Sequence, residues 1–193
     1  MGLVTTTQAR SAAFNERIQK GRGVESILRE SASFTRSSYD VFLSHSKMDT
    51  ELVVGAKRIL ELKGYTVYVD WVDDPQLDRS KVNRQTADKL RMRMRSCKLM
   101  FYLHTSNGSL SKWCPWELGY FDGYTYPNPK VFVFPLLASG ERSFQGQEYL
   151  ELYPLIDIDD VDKSQTDQKD VWSYDPRAEI SYRRITTILN EAR

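Results

Sequence analysis

An aromatic ring and a carboxylate lie four residues apart in the stretch SKWCPWEL, residues 111–118. At this i, i+4 spacing Trp113 and Glu117 share one face of a helix, so the ring and the carboxylate can address a single ligand. Pro115 falls in the first turn of that helix, where a missing backbone N–H is tolerated. The stretch follows an apolar, strand-like run and a polar turn. We therefore expect Glu117 to carry the chemistry of this protein.

The surrounding sequence alternates between short apolar runs and helical patterns. One strand and the helix that follows it together take about 30 residues. This alternation predicts an α/β domain with a parallel sheet and helices on both faces. In such sheets ligands bind at the carboxyl ends of the strands, which is where Glu117 is expected. The predicted strands are residues 39–43, 66–70, 98–104 and 131–136, with a short fifth strand within 149–158. The predicted helices run from Asp49 or Thr50 to a stop at Gly64, and over 83–95, 112–123 and 178–191.

The first 38 residues differ in pattern from the rest of the chain. Two short helices are predicted there, separated near residues 21–23 (GRG). Residues 1–38 are thus expected to form an N-terminal helical or partly disordered extension, and residues 39–193 the main domain. The extension could dock on a partner, bridge protomers or wrap the domain.

Composition excludes several classes of function. Lys and Arg total 27 against 26 Asp and Glu, a net charge of +1, so no basic footprint for nucleic acid is present. Two cysteines make a poor disulfide framework and predict a reducing, cytoplasmic setting. A signal peptide and an apolar run of about 18 residues are both missing, so no membrane association is expected. Phosphate-binding glycine motifs are absent too, and the two histidines are too scattered from the cysteines to predict a metal site.

Three blocks occur in order along the chain: residues 39–49 (YDVFLSHSKMD), 64–71 (GYTVYVDW) and 111–118. Together they resemble the Toll/interleukin receptor (TIR) domain family of the bacterial, NAD-consuming kind. The resemblance extends over roughly residues 39–190 and implies a flavodoxin-like fold with five parallel strands in the order 2-1-3-4-5. One departure from the family lies at residues 74–78 (DPQLD), where a turn of the Pro-Gly type is replaced by a segment without glycine.

The resemblance also implies an activity. Many bacterial TIR domains cleave the bond between nicotinamide and ribose in NAD, giving ADP-ribose or a cyclic or conjugated ADP-ribose signal. Glu117 matches the catalytic glutamate, and Trp113 matches the ring that lines the nicotinamide pocket. NAD is then the substrate, with no cofactor and no metal. The positions that match the dinucleotide-binding loops are Ser44, His45, Ser46, Lys47, Asp70 and Trp71.

The context implied by the family is anti-phage defence, with assembly into a homo-oligomer through TIR–TIR contacts and signalling to an effector or sensor protein. Isolated members are often inactive until neighbouring copies complete the site. The bond to nicotinamide breaks through an oxocarbenium-like state, and a fixed carboxylate near C1′ stabilises the charge or grips the ribose hydroxyls. A cavity is therefore expected beside Glu117.

Other interpretations stay open at this point. The chain could be a non-catalytic TIR scaffold that acts by homotypic assembly, or a sensor that binds ADP-ribose derivatives without cleaving them. Cys114 and His45 also allow a thiol hydrolase, although His45 is simpler as a hydrogen-bonding loop residue. Glu117 itself could be a solvated residue near a helix start. The arginines of the predicted helix 83–95 are most simply a solvated helix end, where cations suit the helix dipole.

Overall fold

A mixed β-sheet forms the centre of this protein. The computed structural model describes residues 2–20, 37–74, 82–128, 130–158, 171–179 and 181–191. Within these ranges the strands are β1 Tyr39–Ser44, β2 Val67–Tyr68, β3 Cys97–His104, β4 Val131–Pro135, β5 Leu155–Ile158, β6 Val171–Tyr174 and β7 Tyr182–Arg184. They lie side by side in the order β2-β1-β3-β4-β5-β6-β7.

Helices connect most of these strands. The α-helices described are α1 Thr6–Lys20, α2 Thr50–Leu62, α3 Asp70–Asp73, α4 Arg84–Arg95, α5 Cys114–Thr125 and α6 Ile185–Glu191. Short 3-10 helices cover Lys47–Asp49, Gly108–Leu110 and Glu148–Leu152. Gly64 follows α2 with a φ of 84°, the left-handed conformation that ends helices at glycine, so the predicted stop is confirmed.

The parallel part of the sheet has the predicted arrangement. Strands β2, β1, β3, β4 and β5 pair in parallel in that order, which confirms the flavodoxin-like order 2-1-3-4-5. After β1 the chain adds β2 on one side of the sheet, and from β3 onward it adds strands on the other side. The direction in which strands are added therefore reverses between β1 and β3. Ligands of open α/β sheets bind at the carboxyl ends of the strands at such a point.

The far edge of the sheet differs from the prediction. Strands β6 and β7 add to β5 in antiparallel orientation, so the sheet has seven described strands instead of five. The predicted helix over 178–191 is wrong in its first half, because β7 occupies that part and α6 begins only at Ile185. Cross-strand ring contacts stabilise the pair: Tyr174 stacks on Tyr182 at 4.7 Å, and the Arg184 guanidinium lies 4.9 Å from the Trp172 ring.

Side chains of the inner strands alternate between two apolar layers. On β3, Leu99, Phe101 and Leu103 belong to one buried cluster, and Met100 and Tyr102 belong to the other. The first layer is covered by α1, α2 and α6, and the second by α4 and α5. The strands are therefore apolar on both sides, as a sheet covered on both faces requires.

The N-terminal segment is fastened along the carboxyl end of the sheet. The Gly2 amide donates to Asp157 Oδ1 at 2.8 Å, and Leu137 exchanges backbone hydrogen bonds with Val4 and Thr6 at 2.9 and 2.8 Å. Helix α1 confirms the first of the two helices predicted in this region, while the second helix and the break at residues 21–23 lie outside the described residues. The domain boundary after residue 38 stays a prediction.

Helix α1 rests on α2 at a single close approach. A Cβ added to Gly55 would lie 1.9 Å from the carbonyl oxygen of Ala9, far inside any real contact. Ala9 and Ala13, on the side of α1 that packs inward, have no exposed surface. Gly55 is therefore required for the seating of α1, even though glycine is a weak helix former.

We expect Gly55→Ala to lower the free energy of unfolding by 1 to 3 kcal/mol, as overpacking does, despite its roughly 1 kcal/mol gain in helix propensity. The matched control is Gly123→Ala in α5, where an added Cβ meets nothing within 4 Å. That change should stabilise the protein by up to 1 kcal/mol. Urea unfolding of both variants makes the comparison, and equal stabilisation by both would show that α1 is not seated on Gly55.

Candidate active site

Glu117 lies at the start of α5, next to the carboxyl end of β1. The helix begins at Cys114 with Pro115 in its first turn, and Trp113 is the residue that precedes it. The amide of Glu117 donates to the Trp113 carbonyl at 2.8 Å, which closes the first turn. The predicted position of Glu117, where a strand gives way to a helix, is therefore the observed one.

The carboxylate of Glu117 is fully buried and hydrogen-bonded. Its exposed fraction is 0%, and Ser44 Oγ donates to Oε2 at 2.6 Å. Ser44 is the last residue of β1, and its own exposed fraction is 1%. Since a carboxylate removed from water is costly without hydrogen bonds, this donor is an essential part of the arrangement. Two of the eight predicted site residues are thus in direct contact.

Tyr102 is a site residue that the sequence analysis missed. It is the register partner of Ser44 on β3 and lies in the same apolar layer as Trp113 and Cys114. Burial raises the pKa of its hydroxyl, and the nearby Cys114, Tyr149 and Glu117 groups raise it further. Counting alternate residues of β3 places Tyr102 on a buried face near the end of the strand. Tyrosines in such positions are usually ordinary core residues, so this pattern alone does not indicate a site residue.

Aromatic side chains cover α5 on its outer side. Trp113 is 8% exposed and meets Trp116 edge to face, with ring centroids 5.3 Å apart. Trp116 stacks on Tyr120 at 5.8 Å. The Arg91 guanidinium lies 5.2 Å from the Trp116 ring, and Arg95 lies 5.9 Å from the Tyr120 ring. Both arginines contact rings. Arg95 is exposed at the helix end, as predicted, whereas Arg91 is only partly exposed, which corrects the prediction for that residue.

His45, Asp70 and Trp71 form a second group of predicted site residues. His45 Nδ1 lies 2.8 Å from the Leu43 carbonyl, and Trp71 Nε1 donates to His45 Nε2 at 2.6 Å. These partners are satisfied by a neutral imidazole that carries its proton on Nδ1. Asp70 Oδ1 lies 3.3 Å from Nε2. Both ring nitrogens of His45 have hydrogen-bond partners, which fits the simpler of its two interpretations, a hydrogen-bonding loop residue.

The remaining predicted residues, Ser46 and Lys47, shape the loop after β1. Ser46 Oγ accepts from the Met48 amide at 3.3 Å and caps a short 3-10 helix, while Lys47 is exposed. Asp49, at the end of that helix, accepts hydrogen bonds from the Thr105 hydroxyl and the Asn107 side-chain amide. The loops after β1 and β3 are therefore joined through one carboxylate.

Two neighbouring aspartates anchor the segment after β2. Asp73 caps α3 by accepting from the Val69 amide at 2.8 Å, and burial raises its pKa. Asp74 receives a two-pronged hydrogen bond from Arg93, and also one from Tyr68 Oη at 2.9 Å. Burial alone would raise the pKa of Asp74, but these donors outweigh it and hold the pKa below its ordinary value. Arg93 thus belongs to a buried pair, a further correction to the solvated helix end.

A cavity of about 660 Å³ opens at the same edge of the sheet, between α1 and the loops after β3 and β4. None of the eight predicted site residues lines it. The cavity expected beside Glu117 is therefore not this one, and the carboxylate is enclosed by protein instead. Residues 75–78 of the turn without glycine lie outside the described residues.

Neither metal binding nor thiol chemistry gains support from these side chains. Among the described residues, no group of three or more His, Cys, Asp or Glu could hold a metal ion. Cys97 and Cys114 are buried and not joined in a disulfide, and burial raises the pKa of the Cys97 thiol. In the described part of the chain, no helix has the length and apolar character needed to cross a membrane.

Comparison with known proteins gives a match over most of the main domain. Residues 41–170 match the family described as TIR domain, and this range contains all eight predicted site residues. The chain belongs to the TIR domain family. The family resemblance found in the three sequence blocks is thereby confirmed.

Two relatives of this TIR domain are informative. It is 48% identical over 135 residues to ThsB′ of Bacillus cereus (strain MSX-D12), a probable 3′ cyclic ADP-D-ribose synthase. That match covers 69% of this chain and 67% of the relative. It is also 31% identical over 83 residues to a protein of Cytobacillus dafuensis whose name is "Putative cyclic ADP-D-ribose synthase TIR2". The second match covers 42% of this chain and only 22% of that protein.

We expect Asp74→Asn to cost about 2 kcal/mol of unfolding free energy at pH 7, less than a fully buried pair because Arg93 keeps 18% of its side chain exposed. A depressed carboxyl pKa stabilises the fold above the ordinary value of 3.8, and this contribution is lost as pH falls through the folded-state pKa. Urea unfolding at pH 7 and at pH 3 should therefore show the difference from wild type shrinking in acid.

The matched control for this prediction is Asp88→Asn on the same helix as Arg93. Asp88 pairs with Arg91 at 2.8 Å, but its side chain is 61% exposed. Its loss should cost no more than about 0.5 kcal/mol. Equal losses in the two variants would contradict the anchoring role of Asp74.

Proposed function

We propose that this TIR domain cleaves the nicotinamide–ribose bond of NAD and forms a cyclic ADP-ribose. The observation that carries the proposal is the buried carboxylate of Glu117, held by Ser44 at the carboxyl edge of a parallel sheet. A reaction with a cationic transition state needs a fixed carboxylate of this kind. The names of the two relatives, both cyclic ADP-D-ribose synthases, support the product class.

The proposed reaction uses the charge of Glu117 rather than a covalent bond to it. The C1′–N bond of NAD breaks, its electron pair goes to nicotinamide, and positive charge develops on the ribose ring. The carboxylate stabilises that charge, and the Ser44 hydroxyl fixes the carboxylate's orientation. An oxygen of the same molecule then captures C1′ and loses its proton to solvent. If water captures the cation instead, the product is linear ADP-ribose.

Access to Glu117 requires rearrangement, because the side chain has no exposed surface in this arrangement. We propose that contact between copies of the TIR domain opens the site, so that a homo-oligomer is the active form. The cyclic product would then act as a signal to an effector protein, in a cytoplasmic defence response against phage. Trp113, His45 and Trp71 would line or support the opened site in this proposal.

The non-catalytic scaffold remains the alternative function, and the enclosed carboxylate is the observation that favours it. A buried Glu117 could serve only to hold α5 against β1 through Ser44. The two functions differ in what happens to NAD once the protein has assembled.

We expect Glu117→Gln to lower the rate of nicotinamide release by about 100- to 1,000-fold, since it removes the charge that stabilises the transition state. Ser44→Ala should lower the rate by about 10- to 100-fold, the range expected for one hydrogen bond to a charged group. The measurement is chromatography of nicotinamide and ADP-ribose products at protein concentrations where light scattering shows self-association.

The matched control is Glu179→Gln, at an exposed position outside the site, which should leave the rate unchanged. Equal turnover by wild type and Glu117→Gln would remove the carboxylate from the mechanism. An assembled wild type that releases no nicotinamide would establish the scaffold instead.

A further inference from the structure

The cavity at the carboxyl edge, here called the α1 cavity, is separate from the Glu117 site. Its walls come from the first turns of α1, the loops after β1 and β3, and the segment of residues 135–145 that follows β4. Its volume of about 660 Å³ falls in the range of 300 to 1,000 Å³ that is typical of ligand pockets. Glu117 lies in the first turn of α5 and is not among the residues that line this cavity.

One wall of the α1 cavity is aromatic. His104 and Phe144 both line it, and their rings meet edge to face with centroids 4.8 Å apart. Burial lowers the pKa of His104, and the Glu141 carboxylate offsets this only in part. Burial thus favours the neutral imidazole, and the wall offers two ring surfaces to a flat ligand group.

Two arginines line the same cavity. Arg10 of α1 is 58% exposed and pairs only loosely with Glu51, at 3.6 Å. Arg142 is exposed as well, and it forms no ion pair with another residue of the described ranges. Guanidinium groups bind phosphate through two parallel hydrogen bonds, which makes arginine the common choice for phosphate recognition.

The two carboxylates that line the cavity are already engaged. Asp49 accepts from Thr105 and Asn107, and Glu141 Oε2 accepts from the Ala138 amide at 2.8 Å. The rest of the lining is rich in hydroxyl groups, which suit the hydroxyls of a sugar. Both carboxylates therefore have hydrogen-bond donors within the cavity wall, and the two arginines supply the charges that balance them.

The walls of the cavity are also fastened in place. Thr6 and Val4 are hydrogen-bonded to the backbone of Leu137, and α1 is seated on Gly55 at a contact that admits no Cβ. A site whose walls are held before binding loses little ordering entropy when the ligand enters.

We propose that the α1 cavity binds a nucleoside phosphate, at a site distinct from that of Glu117. The base packs against Phe144 and His104, the phosphate lies between Arg10 and Arg142, and the ribose meets the hydroxyl groups between them. This site does not depend on the proposed cleavage of NAD.

The test is isothermal titration calorimetry of the full chain with AMP, adenosine and inorganic phosphate as separate probes. AMP should bind with one-to-one stoichiometry and more tightly than either fragment. The double variant Arg10→Ala with Arg142→Ala should weaken AMP at least tenfold. Arg17→Ala, an exposed arginine two turns further along α1, is the matched control and should leave the affinity unchanged.

A second variant separates this site from the proposed active site. Glu117→Gln should leave AMP affinity within about twofold, whatever it does to NAD turnover. AMP binding that is lost in Glu117→Gln but retained in the double arginine variant would overturn the proposal. So would equal affinity for AMP and phosphate, or no binding of AMP at millimolar concentration.

Photo-crosslinking gives a readout that does not depend on the variants' folding. With 8-azido-AMP as the probe, the labelled peptide should contain residues 135–145. Labelling confined to residues 111–120 would place the nucleotide at α5 and refute the α1 cavity as its site. NAD turnover is measured separately, so failure of this proposal and failure of the proposed NAD cleavage remain distinguishable.

Discussion

The hydrogen bond between Ser44 and Glu117 is the interaction on which the proposed activity depends. It joins the end of β1 to the first turn of α5 and buries a carboxylate completely. Placing a carboxylate out of water is unfavourable unless donors replace the lost solvent. The same desolvation makes the carboxylate's field strong, because little water remains to screen it. The local cost in stability and the capacity to stabilise a cation therefore have one physical origin.

Carboxylates also organise the loops around this contact. Asp49 joins the loops after β1 and β3, and Asp74 fastens the segment after β2 to α4 through Arg93. Asp49 lies on the loop after β1 and Asp74 on the segment after β2. Together with the loop after β3, which Asp49 contacts, three loops are thus held at one edge of the sheet. The dipole of a helix could not hold these loops together by itself, because its influence fades within the first turn.

Much of the fold could be predicted from the local pattern of apolar residues, since strands that are covered on both faces are continuous apolar runs in the sequence. The order of the parallel strands came from the family resemblance, and pairing confirmed it. Strands β6 and β7 could not be predicted in this way. They are short, sit at the edge and are held by contacts such as Arg184 on Trp172, which join residues from different strands. For the same reason, the arginines of α4 gave no sign in sequence that Arg93 would meet Asp74.

The site was predictable to the extent that it lies on strand ends. Glu117 and Ser44 could be placed at the correct edge, but their contact, and Tyr102 beside it, required the register of β1 against β3. The α1 cavity was not predictable at all, because its walls come from segments up to about 140 residues apart in the chain. Such a site exists only after the N-terminal segment has been hydrogen-bonded to the residues that follow β4.

Because the Glu117 carboxylate is fully enclosed, the proposed enzyme can bind NAD only in an open form. If the open form is a fraction of the population, the apparent affinity for NAD falls by that same fraction. A form that is open about 1% of the time would bind NAD about 100-fold more weakly than the open form itself. Contact with another copy can remove this loss only if the contact binds the open form more tightly than the closed one. An enclosed site is therefore compatible with the proposed catalysis, provided that assembly favours the open form.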